Sequence, residues 1–172
     1  DNAKRGKKLH FLNKWANNHS IIFIQEAHGT IFDTDLHLRF LSKNFWIYRN
    51  GESGGSSGVL LCLVSKMFAP NQDSIKHDPL VEGRISNITL ERNSCRAYYW
   101  NVHNFEIPTQ TLRDFISIVE AQVALANVYP LECSVIVCGD FNLQPPNVPQ
   151  RSYQEPKSSD TSLHNIDHRA GR

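Results

Sequence analysis

The sequence predicts a mixed α/β or α+β sandwich in which β-sheets lie inside and helices lie outside. Short apolar runs such as "GVLLCLV" and "SVIVC" have the length of buried strands, and amphipathic stretches flank them. Two further strand-like runs, "RISNITLER" and "CRAYYWNVHNF", are separated only by Asn93-Ser94, which predicts a hairpin. With 172 residues, 40% of them hydrophobic, the chain can bury a core as one domain.

The first half of the chain alternates predicted helices and strands. Residues 4–18 have apolar side chains at helical spacing, and the strand "IIFIQE" follows. A second helix is predicted over 34–43, with Leu36, Phe40 and Leu41 facing inward, and the aromatic strand "FWIYRN" comes next. The segment "GESGGSSG" holds four of the nine glycines and predicts a mobile loop before "VLLCLV".

The second half contains one polar stretch, one long helix and a change of composition. The stretch from Pro70 to Pro79 has no clear strand pattern. A helix is predicted to begin at Pro108, because an apolar stripe follows at helical spacing. Its members are Leu112, Phe115, Ile116, Val119 and Val123. Residues 1–143 are therefore predicted to form the domain, and the proline-rich, polar residues 144–172 a loosely ordered segment.

Charge and cysteine usage exclude several classes of protein. The formal net charge is +1, so the basic cluster from Lys4 to Lys8 is expected to be a solvated helix face. No apolar stretch approaches the roughly 20 residues needed to cross a bilayer, and no signal peptide opens the sequence, so no membrane partner is expected. The four cysteines form no CxxC pair, which predicts reduced core thiols and an intracellular protein.

Polar residues follow three of the apolar runs. Glu26 ends "IIFIQE", Asp140 and Asn142 end "VIVCGDFN", and Asn101 and His103 lie on one face at the end of "YYWNVHNF". Carboxylate oxygens at such strand ends suit Mg²⁺, which commonly uses one or two carboxylates plus phosphate oxygens and water. Phosphoryl transfer is the chemistry that this donor set favours. Taken singly, each residue could equally cap a turn or form a salt bridge.

The order of these segments resembles that of a known family. "IIFIQE", "SSGVLLCL", "EGRISNITLE", "WNVHNF" and "VIVCGDFN" follow one another as in the endonuclease/exonuclease/phosphatase family, which includes pancreatic-type deoxyribonucleases, abasic-site endonucleases and retrotransposon endonucleases. The resemblance runs from about residue 4 to about residue 143. It implies a four-layer sandwich of two packed, mostly antiparallel sheets flanked by helices.

The resemblance also implies a role for each polar residue. Glu26 is the expected metal ligand, with Mg²⁺ as the cofactor and Mn²⁺ as an alternative. Asn101 is expected at the substrate phosphate, beside His103 as a catalytic residue that contacts the scissile phosphate. Asp140 is expected to align or activate the attacking water, and Asn142 to contact the phosphate.

Two departures from the family pattern make the predicted domain incomplete. The family opens with a strand that bears a metal-site asparagine, which Asp1 and Asn2 do not clearly supply. It also closes with a strand that carries an Asp-His dyad, whereas Asp167-His168 follow no apolar run. Arg84 of "EGR" is interpreted as structural or as a peripheral phosphate contact.

The functional hypothesis is Mg²⁺-dependent hydrolysis of phosphodiesters. Its most specific form is an endonuclease that acts on DNA and derives from a retroelement. A phosphatase, a sphingomyelinase or a deadenylase would use the same site, because loops choose the substrate on such a fold. A catalytically inactive relic or binding module is the alternative from another class. A plain nucleic-acid-binding protein ranks last.

Overall fold

The computed structural model describes residues 2–28, 31–51 and 58–142, with the backbone alone for 2–5 and 31–34. The predicted glycine-rich loop, from residue 52 onward, and the segment 144–172 with Asp167 and His168 lie outside these ranges. The helices and strands are α1 (Asn2–Ala16), β1 (Ile21–Ala27), α2 (Ile31–Leu38), β2 (Phe45–Asn50), β3 (Val59–Ser65), β4 (Ile75–Val81), β5 (Ile85–Arg92), β6 (Cys95–His103), α3 (Thr109–Val128) and β7 (Cys133–Asp140).

The strands form two sheets. A three-stranded sheet has the order β1-β3-β2, and a four-stranded sheet has the order β4-β5-β6-β7. All neighbouring strands are antiparallel except β6 and β7, which run parallel because α3 carries the chain back along the sheet. The prediction of two mostly antiparallel sheets is confirmed.

Three apolar clusters join these elements into four layers. Leu12 of α1 and Leu38 of α2 pack with Leu63 on the outer face of the three-stranded sheet. Val64 packs with Ile88 between the two sheets. A third cluster joins Trp100 and Val102 to Phe115 of α3. Because β3 is covered on both faces, its continuous run "VLLCLV" is explained, and the order helix, sheet, sheet, helix matches the predicted sandwich.

The turn between β5 and β6 confirms the predicted hairpin. Arg92 and Cys95 are paired across it, so Asn93 and Ser94 form a two-residue loop. Both loop residues have a positive φ, 49° and 67°, as a type I′ turn requires. Asparagine tolerates this conformation better than most residues, which explains its place at the first position.

Strand β4 was missed by the sequence reasoning, which found no strand between Pro70 and Pro79. Its sequence "IKHDPLV" is polar because β4 is an edge strand of the described sheet, with Ile75 buried and most of the strand exposed. Proline is tolerated on an edge, and the register shifts between Pro79 and Val81.

The long helix follows the prediction, and the second helix differs from it. Helix α3 begins just after Pro108 and ends at Val128, and Phe115 of its apolar stripe is buried. Helix α2 is shorter and earlier than the predicted range of 34–43, and Leu36 and Phe40 are exposed while Leu41 is buried in the turns that follow. The error at Leu36 and Phe40 arises because helical spacing defines a face but not how much of that face a single sheet covers.

The cysteines and the basic cluster are placed largely as expected. All four cysteines are free, and Cys62 and Cys133 are buried. The prediction of a core position is wrong for Cys95, which is exposed beside the hairpin. Lys7 and Lys8 are exposed on α1, as predicted for a solvated face. No helix in the described ranges is long and apolar enough to cross a membrane.

Gly139 in β7 is expected to tolerate no side chain. Its φ is 149°, and an added Cβ would overlap the carbonyl oxygen of Val102 and lie 2.7 Å from Nε2 of Gln25. We expect Gly139→Ala to lower the free energy of unfolding by about 2 kcal/mol or more, measured by urea denaturation. Gly6→Ala is the control, because Gly6 is an exposed helix residue with no atom within 4 Å of its Cβ position. It should stabilise by up to about 1 kcal/mol. Equal losses in both variants would contradict the steric explanation.

His77 is expected to make stability depend on pH. Burial lowers the pKa of His77 below 6.5, against a smaller opposite effect of the Asp78 carboxylate. The folded state therefore binds this proton less readily than the unfolded chain, so the stability from a neutral His77 is present above pH 6.5 and is lost as the pH falls below it. Its ring packs 5.4 Å from that of Tyr48, and Nε2 lies 2.9 Å from Oγ of Ser86.

Urea denaturation from about pH 7.5 to about pH 5.5 measures this dependence. The wild type should lose stability with a slope of at most about 1.4 kcal/mol per pH unit from this histidine, and His77→Gln should have a shallower slope. His10→Gln, an exposed position on α1, should keep the wild-type slope. An unchanged slope in His77→Gln would show that another group is responsible.

Candidate active site

The three sequence segments with polar ends meet at one end of the sandwich. His103 of β6 and Asp140 of β7 are partners in the parallel register, so their side chains project on the same face of the sheet. Gln25 of β1 connects the facing sheet to both strands. Its Nε2 donates to Oδ1 of Asn101 at 2.9 Å and to the carbonyl of Val102 at 2.6 Å. Its Oε1 accepts a hydrogen bond from the backbone N–H of Asp140 at 3.2 Å.

Glu26 is presented by an irregularity in β1. The pairing of β1 with β3 shifts between Ile24 and Ala27, and Glu26 adopts a φ of 50°. Such a bulge redirects a side chain out of the regular alternation. A Cβ at Gly58, the residue before β3, would lie 2.8 Å from Cα of Glu26, so this close approach favours a glycine there. As a result the Glu26 side chain is 58% exposed at the end of the sheet.

His103 connects Glu26 to a buried arginine. Its Nε2 lies 3.1 Å from Oε1 of Glu26, and its Nδ1 lies 3.1 Å from Nη1 of Arg84. The imidazole is only 4% exposed and stacks on the ring of Phe105, 6.0 Å between centroids. Arg84 also packs over Phe105, with its guanidinium carbon 5.0 Å from the ring centroid. These contacts leave His103 a fixed orientation with one nitrogen directed at Glu26.

Asp140 and Asn142 form a compact turn after β7. The backbone N–H of Asn142 donates to Oδ1 of Asp140 at 3.0 Å, and Nδ2 of Asn142 donates to the carbonyl of Asn104 at 2.9 Å. Asn104 returns two bonds, from its backbone N–H to the Asp140 carbonyl and from Nδ2 to the Phe141 carbonyl, at 2.8 and 2.7 Å. Asp140 and Asn142 are exposed, so their polar groups can contact a ligand.

Asn101 lies behind this site. It is 1% exposed, it accepts from Gln25, and its Nδ2 donates to the carbonyls of Ile24 and Leu61 at 3.4 Å each. The geometry therefore does not support the predicted contact between Asn101 and a substrate phosphate. Asn101 and His103 share a face as predicted, and both are buried, but His103 reaches the exposed part of the site through its contact with Glu26.

Sequence reasoning missed two polar residues that organise the site. Gln25 lies in the predicted strand "IIFIQE" but was assigned no role, and its position beside Glu26 at a strand end was the available signal. Asn50, at the end of β2, donates from Nδ2 to the carbonyls of Val81 and Ile85, both at 2.8 Å. Its Oδ1 accepts from the N–H of Gly83 at 3.3 Å, so Asn50 shapes the turn that carries Arg84. No local pattern in the sequence marks this contact.

The exposed acidic side chains of the site decide whether a metal ion could bind there. No group of three or more histidine, cysteine or acidic side chains in the described ranges has the geometry of a metal centre. Mg²⁺ commonly needs only one or two protein carboxylates, because substrate oxygens and water complete its shell. The exposed carboxylates of Glu26 and Asp140 are of this kind, so the residues present are compatible with a site completed by a substrate.

Cys138 of β7 lies near the site and is unsuited to nucleophilic chemistry. Burial raises the pKa of its thiol to about 11. The thiol donates to the carbonyl of Trp100, with Sγ at 3.1 Å from the oxygen. A protonated thiol of this kind is a weak nucleophile. The candidate chemistry at this end of the sandwich therefore belongs to the carboxylates, the imidazole and the amide.

An apolar cavity of about 380 Å³ lies at the other end of the four-stranded sheet. It is lined by residues such as Leu90, Ala97 and Leu131, near the start of β6 and β7. None of the predicted site residues lines it. Its location separates it from the polar strand ends.

Comparison with known proteins gives matches among solved structures only. No family model matches the sequence, and no curated protein matches it. A truncated TDP2 (tyrosyl-DNA phosphodiesterase 2) from Caenorhabditis elegans matches with a TM-score of 0.55 and 21% identity, over 86% of this chain and 58% of that one. A selenomethionine form of TDP2 from the same organism matches with a TM-score of 0.54 and 20% identity, over 86% of this chain and 45% of that one. TDP2 of D. rerio, complexed with a single-strand DNA product, matches with a TM-score of 0.50 and 15% identity, over 83% of this chain and 55% of that one.

These similarities concern the fold. The chain spans between 45% and 58% of the length of the three structures. TDP2 is a member of the endonuclease/exonuclease/phosphatase superfamily, and the arrangement of two sheets between helices is the one that the sequence motifs predicted. This chain has the endonuclease/exonuclease/phosphatase fold.

Proposed function

We propose that this chain is a metal-dependent phosphodiesterase that acts on DNA. The observation that carries the proposal is the exposed Glu26 carboxylate, 3.1 Å from a buried His103, at the same sheet end as the Asp140 and Asn142 turn. A carboxylate for a metal, an imidazole, a second carboxylate and an amide are the groups that hydrolysis of a phosphodiester uses. The likeness in fold to TDP2 from two organisms supports the same chemistry.

Each residue has a proposed role in the reaction. Glu26 would hold Mg²⁺ or Mn²⁺, and such an ion would neutralise phosphate charge and favour departure of the leaving oxygen. Asp140 aligns the attacking water and accepts its proton. Asn142 and His103 stabilise the negative oxygens of the phosphate by hydrogen bonds.

One similar structure and two sequence motifs bear on the choice of substrate. The D. rerio protein is bound to a single-strand DNA product, which favours DNA as the phosphodiester. The retroelement origin is the most specific part of the proposal. It depends on the likeness of "WNVHNF" and "GDFN" to retrotransposon endonucleases. A reverse-transcriptase reading frame in the flanking coding sequence would support it, and a different gene context would contradict it.

Cleavage of DNA with matched variants tests the proposed site. The purified chain is incubated with supercoiled plasmid and with end-labelled single-stranded DNA, with Mg²⁺, with Mn²⁺ or with EDTA. We expect metal-dependent cleavage, and we expect Glu26→Gln and Asp140→Asn each to lower the rate by about 10²- to 10⁴-fold, because each removes a charge that acts in the transition state.

Asp73→Asn is the control variant. Asp73 is an exposed acid just before β4, at the opposite end of the sheet from His103, so its loss should leave the rate unchanged. Wild-type rates in Glu26→Gln and Asp140→Asn would refute the site. If the folded wild type binds DNA but cleaves it under none of these conditions, the result would favour a binding module of the same fold over an enzyme.

A further inference from the structure

We propose that Arg84 is a positioning residue that sets the proton of His103 on Nε2. Arg84 is 7% exposed, and its Nη1 lies 3.1 Å from Nδ1 of His103. A guanidinium carries only donors and stays charged at every working pH, so it cannot accept a hydrogen bond. Nδ1 of His103 must therefore be the acceptor, and in a neutral imidazole the single ring proton then lies on Nε2.

The second ring nitrogen has a partner that agrees with this assignment. Nε2 lies 3.1 Å from Oε1 of Glu26, and a carboxylate accepts hydrogen bonds. Arg84, His103 and Glu26 thus form a line in which each of the two contacts joins a donor to an acceptor. The opposite tautomer would direct an N–H at the guanidinium and a lone pair at the carboxylate, which would be unfavourable at both contacts.

The backbone determines where the guanidinium lies. The N–H of His103 donates to the Arg84 carbonyl at 2.7 Å, and the N–H of Arg84 donates to the Val81 carbonyl at 3.0 Å. Asn50 binds the Val81 carbonyl as well, so the turn before β5 is held by several bonds. Phe105 lies beneath both side chains, with its plane 10° from that of His103. A flat guanidinium suits this stacked position better than an ammonium does.

The tautomer decides what His103 can do in the proposed reaction, and this step depends on the proposed function. With its proton on Nε2, His103 donates to the Glu26 carboxylate, and a phosphate oxygen that takes the place of that carboxylate oxygen would accept the same hydrogen bond. The same nitrogen has no lone pair with which to take a proton from water. Removal of the proton from water therefore falls to the exposed carboxylate of Asp140, and Arg84 acts on the reaction through His103.

Nitrogen NMR of histidine-labelled protein tests the tautomer without any substrate. Spectra are recorded at about pH 8, above the range in which imidazoles ordinarily gain a second proton. The His103 signals are assigned by their loss in His103→Gln. We expect Nδ1 of the wild type to have the shift of an unprotonated nitrogen and Nε2 that of a protonated one. A protonated Nδ1 would overturn the inference.

Two further variants separate Arg84 from Glu26. In Glu26→Gln the amide can donate or accept, so Arg84 alone should still hold the proton on Nε2. In the double variant Glu26→Gln, Arg84→Met, the two tautomers should become mixed. A tautomer that changes in the single variant, or stays the same in a folded double variant, would overturn the role of Arg84. If the double variant does not fold, the Glu26→Gln spectrum decides alone.

Cleavage assays keep this inference separate from the proposed function. In an active protein we expect Arg84→Met to lower the cleavage rate by about 10- to 100-fold, as loss of a group that orients a reacting residue commonly does, and Arg84→Lys to restore part of it. A wild-type rate in Arg84→Met would contradict the catalytic consequence. Absence of cleavage in the wild type would refute the phosphodiesterase, while the NMR result would still stand for or against the tautomer.

Discussion

The amide of Gln25 is the contact on which the proposed site depends. It joins β1 of one sheet to β6 and β7 of the other through bonds to Asn101, Val102 and Asp140. Hydrogen bonds of this type each contribute only about 1 kcal/mol, but loss of one partner leaves a shielded polar group unsatisfied at a cost of about 1 to 3 kcal/mol. The hydrogen bonds of Gln25 therefore specify how the strand ends face each other more than they stabilise the fold.

Left-handed backbone conformations place two of the exposed groups. Glu26 and Asn142 both have a positive φ, 50° and 44°, which asparagine tolerates and which glutamate adopts only when the surroundings favour it. At Glu26 the surroundings are the shifted register of β1 and the close approach of Gly58. At Asn142 they are the bonds to Asp140 and Asn104. Both conformations occur at a strand end of the site, in exposed residues.

The polar residues of the site form a buried set and an exposed set. Arg84 and Asn101 are buried and bonded to other protein groups, whereas Glu26, Asp140 and Asn142 are exposed. His103 lies between the two sets, with a covered ring and one nitrogen at the boundary. A buried polar group must find its partners inside the protein, so the inner residues are held in place and the outer ones can exchange water for a ligand.

The sequence alone determined the sandwich, the order of most strands, the hairpin at Asn93-Ser94 and the set of polar strand ends, because these follow from short-range periodicity and turn chemistry. It did not determine β4, an edge strand whose polar residues hide its pattern. It also could not separate Asn101 from His103, since alternation assigns a face but not the extent of the opposing sheet. Only the tertiary structure decided that Gln25 and Arg84 organise the site. Gln25 is 76 residues from its partner Asn101 in the sequence, and Arg84 is 19 residues from its partner His103. Contacts between such distant segments leave no local pattern.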